Sequence, residues 1–430
     1  MGLKMPSGFN PFEDEPKAQP AVQSIAQPAT PVPPVEQKPM TALQKADAAI
    51  KEKTNPTPKV VAVVAKPKAA PNLKIGQNLA TILAAARKSK GDGIAVSGRT
   101  IQPVERVPTG VFEFDLATGG GFPRGRYTII YGPEASGKTN AVYKGIAQAQ
   151  QMPPPCNKAV FIDLEGTFDP LWAEKFGVDV DELVVIKPGY GEEAGDLLDA
   201  VIRADDVLFI GFDSLAVMVS SREAEQSLEK FDVGTSSLLV KRMMNKVILA
   251  LNEEEKRGHR PAVVFINQTR FKIGVMFGNP ETMPGGKAML FLASLIIRIS
   301  AKKVVEKSVN PDLPSFMETT ASIKKAKVPI TSTEFEYAMC VLEQSGLGIG
   351  DSNSWNLVAN HLKQMGMLTN TGKGWELEGK VYKTLSMIEG TYQAENGFAL
   401  HLQTLVIDSY KGIAKLVAAT AFEEIEVEGE

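Results

Sequence analysis

The sequence predicts an α/β fold in which a largely parallel sheet is flanked by helices, and two observations indicate it. Between about residues 108 and 345, short apolar runs typical of buried strands alternate with longer segments of helical periodicity. One of these runs leads directly into a glycine-rich loop at residues 132–139, which a helical segment follows. Alternating strands and helices of this kind form a sheet that helices cover.

The apolar runs and the helical patterns locate the elements of this region. Strands are predicted at residues 127–131, 158–163, 183–186, 207–212, 262–267 and 295–300. Helices are predicted at residues 138–151, 192–204 and 238–257. A glycine-rich loop separates the last two strands, so helices need not cover every connection.

Composition divides the chain into five predicted segments. Residues 1–72 are rich in proline, alanine and glutamine, which predicts a disordered extension because such a segment cannot bury enough apolar surface to fold. Within it, residues 9–15 combine phenylalanine with acidic residues, which is typical of a docking motif or of an ordinary tail. The other segments are an amphipathic helix with a linker (residues 73–107), the core (108–345), a small α+β domain (346–415) and an acidic tail (416–430).

Composition also excludes several classes of protein. The 47 lysines and arginines against 50 acidic residues give a net charge of -3, so a nucleic acid must bind at a local basic surface. The two cysteines and three histidines lack the spacing of a zinc module and indicate a reducing compartment. The sequence shows neither an apolar stretch of membrane length nor a signal-peptide pattern, which predicts a cytoplasmic protein without a membrane partner.

The glycine-rich loop carries the residues that nucleoside triphosphate binding requires. Its backbone N–H groups can close around phosphates, Lys138 can meet the β- and γ-phosphate charges, and the Thr139 hydroxyl can bind Mg²⁺. A chance glycine-rich turn would lack the strand and helix that flank this loop. The predicted nucleotide-binding residues are Gly132, Pro133, Glu134, Ala135, Ser136, Gly137, Lys138, Thr139 and Asn140.

Hydrolysis also requires a carboxylate that retains the metal, a group that activates water and a group that senses the γ-phosphate. Asp213 ends an apolar run and is the candidate Mg²⁺ ligand, although a strand-terminal aspartate can also cap the next turn. Glu165 follows another predicted strand and is the candidate general base, with Asp163 as its rival. Gln268 is the candidate γ-phosphate switch or, alternatively, a structural glutamine that binds backbone groups.

The loop at residues 269–287 has three properties that suit single-stranded nucleic acid. It offers cations for phosphates, apolar side chains that enter between bases and glycines that let the backbone approach. An inert surface loop is the alternative, but an exposed apolar loop of this length would favour aggregation without a partner. The predicted contacts are Arg270, Lys272, Ile273, Met276, Phe277, Gly278, Asn279, Gly285 and Gly286.

Together these blocks resemble the RecA/Rad51 family of DNA strand-exchange recombinases, most closely bacterial RecA and its phage-encoded relatives. The most specific pieces are residues 132–139, residues 161–165 with 169–170, and residues 266–268 with 272–282. The resemblance implies a RecA-type P-loop NTPase core with an N-terminal polymerisation helix. It further implies a single-stranded-DNA-dependent ATPase that uses ATP and Mg²⁺ and yields ADP and phosphate. Its members form helical filaments on single-stranded DNA that pair with double-stranded DNA and exchange strands in recombination and repair.

The resemblance assigns roles by matching position. Lys138, Thr139 and Asp213 match the phosphate and Mg²⁺ ligands, Glu165 the catalytic base and Gln268 the γ-phosphate sensor. Asp169 and Trp172 match residues at the adenine site, and Arg242 matches a DNA contact. Lys325 and Lys327 match a lysine pair that a neighbouring protomer supplies to the γ-phosphate. The i, i+2 spacing of the lysine pair predicts that both lie on one face of a strand.

Three departures from the family pattern bear on function. The segment expected to form a first DNA-binding loop, residues 221–237, is acidic, and Leu249 stands where bacterial members carry a basic residue, with Lys246 as a nearby substitute. Beyond Gly346 the likeness fades, and duplex binding is indicated only by Lys373, Lys380 and Lys383. The proline-rich extension is absent from ordinary bacterial members and favours a phage or otherwise divergent origin.

Two other hypotheses explain the nucleotide motifs. A ring-forming RecA-core motor, such as a helicase or a branch-migration factor, needs the same phosphate loop but accounts for less of residues 270–286. A DNA-binding filament protein with a slow regulatory ATPase would be distinguished by its hydrolysis rate with and without single-stranded DNA. For the preferred recombinase, single-strand-binding and loader proteins are the candidate accessory partners.

Overall fold

The computed structural model of the chain describes residues 77–90, 103–225, 235–271, 281–305, 310, 312–343, 347–352, 354–411 and 426–427. All of them belong to the second of the chain's two units, which spans Ala70–Glu430. The predicted disordered extension and its aromatic and acidic cluster at 9–15 lie outside the described residues. The start of the predicted N-terminal helix, residues 73–76, and most of the acidic tail lie outside them as well.

The described helices begin with α1 (Gln77–Lys90), which precedes the core. The core contains α2 (Phe112–Thr118), α3 (Lys138–Gln150), α4 (Pro170–Lys175), α5 (Gly191–Ile202), α6 (Ser221–Glu225), α7 (Thr235–Arg257) and α8 (Gly286–Leu292). After the core come α9 (Trp355–Gln364), α10 (Leu385–Ala394) and α11 (Asn396–Lys411). Of these described helices, none is both long and apolar enough to span a bilayer.

The described strands fall into a large central set and several short ones. The central set contains β3 (Arg126–Gly132), β4 (Lys158–Asp163), β5 (Leu183–Ile186), β6 (Val207–Asp213), β7 (Ala262–Gln268), β10 (Leu295–Val304), β11 (Phe316–Ala326) and β12 (Glu334–Cys340). The short strands are β1 (Arg106–Val107), β2 (Phe122–Pro123), β8 (Arg270–Phe271), β9 (Glu281–Met283), β13 (Leu368–Asn370), β14 (Trp375–Leu377), β15 (Lys380–Tyr382) and β16 (Glu426–Val427).

Eight of the described strands form the central sheet, in the order β12-β11-β10-β3-β7-β6-β4-β5. The strands from β10 to β5 run parallel, whereas β11 and β12 extend one edge in antiparallel fashion. The predicted α/β class with a largely parallel sheet is therefore confirmed. The strands predicted at 158–163 and 183–186 have the observed bounds.

The strand predicted at 295–300 continues to Val304. Its first residues pair with both β3 and β11, but beyond Arg298 it pairs with β11 alone. From Ser300 onward the residues of β10 are half-buried or exposed and include Lys302 and Lys303, so the apolar run ends before the hydrogen-bonded ladder does. The end of an apolar run marks where burial stops, not where a hairpin stops.

The sheet buries one apolar cluster on each face. Ile130 of β3 lies in the cluster that contains Ile146 of α3, whereas its neighbour Ile129 lies in the cluster that contains Met244 of α7. Successive residues of a strand point to opposite faces, which accounts for the division. Every residue of β6 is buried. The helices on both faces thus hold the strand ends of the sheet in place.

A third apolar cluster lies after the core, where α9, α10 and α11 pack with the three-stranded sheet β13-β14-β15. Trp355, which is 1% exposed, is its largest fully buried side chain. Phe112 of α2 is buried in the same cluster and joins it to the core. The region has the expected mixture of helices and strands, but it belongs to one unit with the core, so the boundary at residue 346 stays a prediction.

Candidate functional site

The phosphate loop lies between β3 and α3, at the carboxyl end of the parallel strands. Gly137 precedes α3 with φ 83°, a left-handed conformation that glycine adopts most readily. A Cβ atom on Gly132 would lie 2.0 Å from Ile299 O, so this position accepts no side chain without rearrangement. The Ser136 hydroxyl donates to Pro133 O at 2.8 Å and closes the loop. These local requirements explain the glycines at positions 132 and 137.

Lys138 lies inside the loop and is 8% exposed. Its Nζ donates to Gly132 O at 3.1 Å and to Pro133 O at 2.6 Å. Burial lowers the pKa of Lys138, and the negative charges of Asp213, Glu165 and Glu134 oppose that shift. The ammonium group is therefore held at the centre of the loop among acceptors that phosphate oxygens could replace.

Asp213 ends β6 next to the first turn of α3. The Thr139 hydroxyl donates to Asp213 Oδ2 at 2.9 Å. Burial raises the pKa of Asp213 to about 7, and the nearby Glu165 and Asp163 carboxylates add to the shift, whereas the Thr139 hydrogen bond and Lys138 oppose it. The site thus combines a hydroxyl with a buried excess of negative charge. Hard oxygen donors in a negative environment fit a divalent cation such as Mg²⁺.

The two rival carboxylates at the end of β4 have different surroundings. Asp163 accepts three backbone N–H bonds, from Gly166 at 2.8 Å, Thr167 at 3.2 Å and Phe168 at 3.0 Å. Its side chain therefore shapes the turn after β4 and has little capacity left for a water molecule. Glu165 makes no such backbone bonds among the described residues, which leaves it as the better candidate for a general base.

Glu165 accepts hydrogen bonds from two side chains, one just after β6 and one at the end of β7. The Ser214 hydroxyl donates to Glu165 Oε1. Gln268 Nε2 donates to the same oxygen at 3.0 Å. Because both bonds use one oxygen, Oε2 of the carboxylate is left to other partners. Gln268 is thus a side-chain partner of the candidate base, and the alternative of a glutamine bound only to backbone groups does not describe it.

A cavity of about 480 Å³ opens beside the phosphate loop. Trp172 of α4 lines it, and its indole Nε1 donates to Asn140 Oδ1 at 3.1 Å. Asp169 caps the N-terminus of α4, accepting bonds from Leu171 N at 3.0 Å and Trp172 N at 3.2 Å. The other lining residues are Ala135, Ser136, Gly137, Lys138, Thr139, Asn140, Lys303, Leu313, Pro314, Met317, Val341 and Leu342. The aromatic and apolar wall suits a planar base.

The predicted lysine pair lies at the C-terminus of α8, where both ammonium groups donate to backbone carbonyls. Lys325 Nζ bonds Phe291 O at 2.7 Å and also Leu290 O, and Lys327 Nζ bonds Phe291 O at 2.6 Å. Burial lowers the pKa of Lys325 to about 7, and Lys327 adds to the shift. β11 ends at Ala326, so Lys327 lies one residue beyond the strand, but both ammonium groups reach Phe291 O and therefore lie on the same side, as predicted. Within the described residues, neither lysine lines the cavity of its own chain.

The candidate DNA-binding loop begins and ends in a hairpin. Arg270 pairs with Thr282, and Phe271 with Glu281, in the antiparallel ladder of β8 and β9. Arg270 is exposed and Phe271 is 63% exposed. The remaining predicted loop contacts lie outside the described residues: Lys272, Ile273, Met276, Phe277, Gly278 and Asn279. Gly285 and Gly286 follow the hairpin, and α8 begins at Gly286.

The hairpin is joined to the phosphate loop by consecutive residues of the chain. Gln268 contacts Glu165, and the next residue, Thr269, donates its N–H to Gly132 O at 3.2 Å. Asn267 Nδ2 donates to Pro284 O at 2.8 Å, which ties the end of the loop to its beginning. On the sheet side, Arg298 Nε bonds both carboxylate oxygens of Glu281, at 2.7 and 2.9 Å.

The acidic tail contributes a short strand to the same hairpin. In β16, Glu426 is in register with Thr282 and Val427 with Met283, in parallel with β9. The strands β16, β9 and β8 therefore form one small sheet at the base of the candidate DNA-binding loop.

The expected basic surface of α7 is only partly present. Arg242 is exposed on this helix. Lys246 donates to Asp196 Oδ1 of α5 at 2.6 Å, so its charge is paired, and Leu249 is 60% exposed. Glu229 and the rest of residues 226–234 lie outside the described residues. In the C-terminal region, Lys373, Lys380 and Lys383 are all exposed.

Three residues of the site were missed by the sequence reasoning. Ser214 orients Glu165, Asn267 closes the base of the loop, and Lys303 brings a cation from β10 to the cavity wall. Asn267 and Ser214 each stand directly beside a candidate residue, so inspection of neighbours could have found them. No pattern in the sequence around Lys303 indicates its position, because only the hairpin of β10 and β11 brings it to the phosphate loop.

This arrangement defines a P-loop nucleoside-triphosphatase core of the α/β class. A family model described as the RecA N-terminal domain matches residues 77–341, and the chain belongs to the RecA family of recombinases. It is 36% identical to the protein RecA of Streptomyces coelicolor over 263 residues, which are 60% of this chain and 67% of that protein. It is 36% identical to Protein RecA of Bifidobacterium breve over 306 residues, which are 70% of this chain and 73% of that protein. It is 34% identical to Protein RecA of Saccharopolyspora erythraea over 309 residues, which are 71% of this chain and 84% of that protein.

Membership gives the general activity of the chain. It is a RecA-type protein of recombination and DNA repair, and the family in general consists of DNA-dependent ATPases that bind ATP with Mg²⁺ and act as homo-oligomeric filaments on DNA. The phage origin expected from the N-terminal extension finds no support in these three relatives, which are bacterial.

Replacing Asp213 by asparagine is expected to stabilise the protein in the absence of nucleotide and divalent cation. The folded-state pKa of about 7 lies above the ordinary value of 3.8, so ionisation favours the unfolded chain and stability from this group falls as pH rises from about 4 to about 7. Asparagine does not ionise, so the advantage of Asp213→Asn should grow across this window and stay constant above it. Melting temperatures of the two proteins at several pH values measure the effect, at about 2–4 °C for each kcal/mol. A difference in melting temperature that stays constant with pH would contradict this expectation.

Proposed function

We propose that the chain is an ATP-dependent recombinase, which assembles as a helical filament on single-stranded DNA and catalyses pairing and strand exchange with double-stranded DNA. One observation carries the proposal. The candidate base, the candidate γ-phosphate sensor and the hairpin of the candidate DNA-binding loop are joined by Gln268 and Thr269. Nucleotide chemistry and DNA binding would then share two consecutive residues. The cytoplasm is the proposed location.

In the proposed mechanism, the phosphate loop binds ATP through its backbone N–H groups. Lys138 exchanges its bonds to Gly132 O and Pro133 O for phosphate oxygens. Thr139 and Asp213 would hold Mg²⁺, which neutralises phosphate charge when it is bound. Trp172 offers a stacking surface for adenine, and Asp169 supports it by capping α4.

Glu165 acts as general base on a water molecule aligned with the γ-phosphate. Ser214 and Gln268 hold its carboxylate in place through one oxygen. The lysines Lys325 and Lys327 are proposed to act in trans, at the γ-phosphate of a neighbouring protomer.

Gln268 acts as the switch. Its amide has one donor contact with Glu165, and a γ-phosphate oxygen would compete for the same N–H₂ group. Movement of Gln268 would shift Thr269 away from Gly132 O and so displace β8, which carries Arg270. Loss of the γ-phosphate would reverse the movement. ATP binding would thereby change the conformation of the DNA-binding loop, and hydrolysis would release DNA.

Electron microscopy and a strand-exchange assay test the proposal together. With a slowly hydrolysed ATP analogue and single-stranded DNA, we expect helical filaments, and with homologous duplex we expect joint molecules. Closed rings would favour the motor hypothesis instead. Equal affinity for single-stranded DNA in the apo, ADP and ATP states would contradict the coupling between nucleotide state and DNA binding, and with it the proposal of a recombinase.

Glu165→Gln is expected to bind ATP and assemble on DNA but to lose turnover by on the order of a hundredfold or more, because the amide cannot accept a proton. Steady-state ATP hydrolysis and nucleotide binding measure the two effects separately. Lys138→Ala serves as the contrasting variant, since it should lose nucleotide binding itself. If Glu165→Gln hydrolyses ATP at the wild-type rate, another carboxylate is the base.

The double variant Arg270→Ala with Phe277→Ala should bind single-stranded DNA more weakly, by on the order of tenfold or more, since it loses a phosphate contact and a base-stacking side chain. Nucleotide binding without DNA should stay unchanged. Arg203→Ala is a matched control, because this arginine pairs with Asp199 and Glu253 away from the hairpin. Fluorescence anisotropy with a labelled oligonucleotide provides the measurement, and equal affinities for all three proteins would remove the loop from the DNA site.

Removal of residues 423–430 should accelerate loading on single-stranded DNA at low salt. The tail strand pairs with β9 at the base of the loop, and its acidic residues compete with DNA phosphates for nearby cations. A second variant with glutamine in place of Glu423, Glu424, Glu426, Glu428 and Glu430 separates the contribution of charge from that of strand pairing. Loading kinetics at two salt concentrations distinguish them. A truncated protein that loads at the wild-type rate would mark the tail as inert.

A further inference from the structure

At the end of the sheet where β6 begins, a buried histidine and a buried glutamate face each other. Glu254, near the end of α7, has a side chain that is 1% exposed, and the side chain of His259 is 8% exposed. Glu254 Oε2 and His259 Nδ1 are 3.4 Å apart, and neither atom has a hydrogen-bond partner among the described residues. Buried polar atoms without partners are rare and costly in folded proteins.

The tautomer of His259 makes this contact chemically specific. His259 Nε2 lies 2.8 Å from Val207 O, and a carbonyl oxygen can only accept, so Nε2 carries the proton. In the neutral ring, Nδ1 then presents its lone pair on the side of Glu254 Oε2. Two electron pairs face each other unless a proton or a metal ion lies between them. A histidine whose second nitrogen donates to a backbone carbonyl is the usual form of a metal ligand.

The distance favours a metal ion over a proton. A hydrogen bond between these atoms would measure about 2.9 Å, and no bond of acceptable geometry is present. Zinc–nitrogen and zinc–oxygen bonds of about 2.1 Å at a tetrahedral angle separate the two ligand atoms by about 3.4 Å. The observed 3.4 Å equals that separation.

A third ligand lies at the open side of the pair. Asp205, just before β6, offers a carboxylate oxygen, and the ligand atoms of all three residues lie within 4.8 Å of one another. Its side chain is 77% exposed, so it can rotate toward an ion that enters from solvent. Arg257 NH1 bonds Glu254 Oε1 at 2.9 Å and its NH2 bonds Asp205 Oδ1 at 3.2 Å, which leaves one oxygen of each carboxylate for a ligand.

We propose that Asp205, Glu254 and His259 form a binding site for a divalent transition metal ion of the zinc type, with solvent as the fourth ligand. The ion would tie the C-terminal end of α7 to the start of β6. The site lies at the opposite end of β6 from Asp213, so it is separate from the proposed nucleotide site. Its effect would be on stability, because an ion that binds only the folded chain stabilises it.

Calorimetric titration of the metal-free, full-length protein with Zn²⁺ tests the proposal, with excess Mg²⁺ present to occupy the nucleotide site. Wild-type protein should bind one Zn²⁺ per chain at this site and gain melting temperature. Affinity should fall by on the order of tenfold or more in Asp205→Asn, Glu254→Gln and His259→Gln. Bound Co²⁺ should give the strong visible absorption of a four-coordinate ion in the wild type, and this absorption should be lost in the three variants of the site.

His401→Gln is the matched control, since His401 is an exposed histidine that pairs with Glu378 and lies outside the site. It should bind Zn²⁺ as the wild type does. Asp205→Asn changes an exposed side chain and keeps the test decisive if the buried variants fail to fold. Unchanged Zn²⁺ binding in Asp205→Asn and His259→Gln, or no binding by the wild type, would overturn the proposal. So would an NMR signal from a proton on His259 Nδ1 that Zn²⁺ leaves unaffected.

Discussion

The register of the parallel strands is the constraint on which the nucleotide site depends. Asp163 of β4 lies opposite Asp213 of β6, and Gly132 of β3 lies opposite Gln268 of β7. Carboxyl ends of parallel strands meet at one edge, so residues far apart in sequence become neighbours there. A shift of one strand by a single residue would turn these side chains to the other face of the sheet. Helices on both faces and a fully buried β6 oppose such a shift.

Electrostatics at this edge work against the fold and in favour of a ligand. Asp213 is buried beside Glu165 and Asp163, and the nearby Lys138 only partly compensates for their charge. Sites of this kind exchange stability for function, because a bound cation or a cationic partner relieves the repulsion. The same reasoning applies to the opposite end of β6, where Glu254 and His259 are buried without hydrogen-bond partners for two of their atoms.

Sequence reasoning succeeded where a local pattern determines the structure. The phosphate loop, the ends of β4 and β6, and the position of Gln268 follow from apolar runs and the residues that end them. Side-chain pairing could not be predicted in this way. Lys246 is a candidate substitute for the basic residue missing at Leu249, but it pairs with Asp196. Only the structure separates Glu165 from Asp163, because side chains bond Glu165 whereas backbone N–H groups bond Asp163. The absence of zinc-module spacing likewise says nothing about His259, whose neighbours come from two other segments.

The bond between Trp172 and Asn140 gives the protein a built-in optical reporter. Of the three tryptophans in the chain, Trp172 alone lines the cavity beside the phosphate loop, whereas Trp355 and Trp375 belong to the C-terminal cluster. Indole emission depends on polarity and on quenching by stacked rings. A molecule that enters the cavity would therefore alter the emission of one fluorophore and leave the other two as an internal reference.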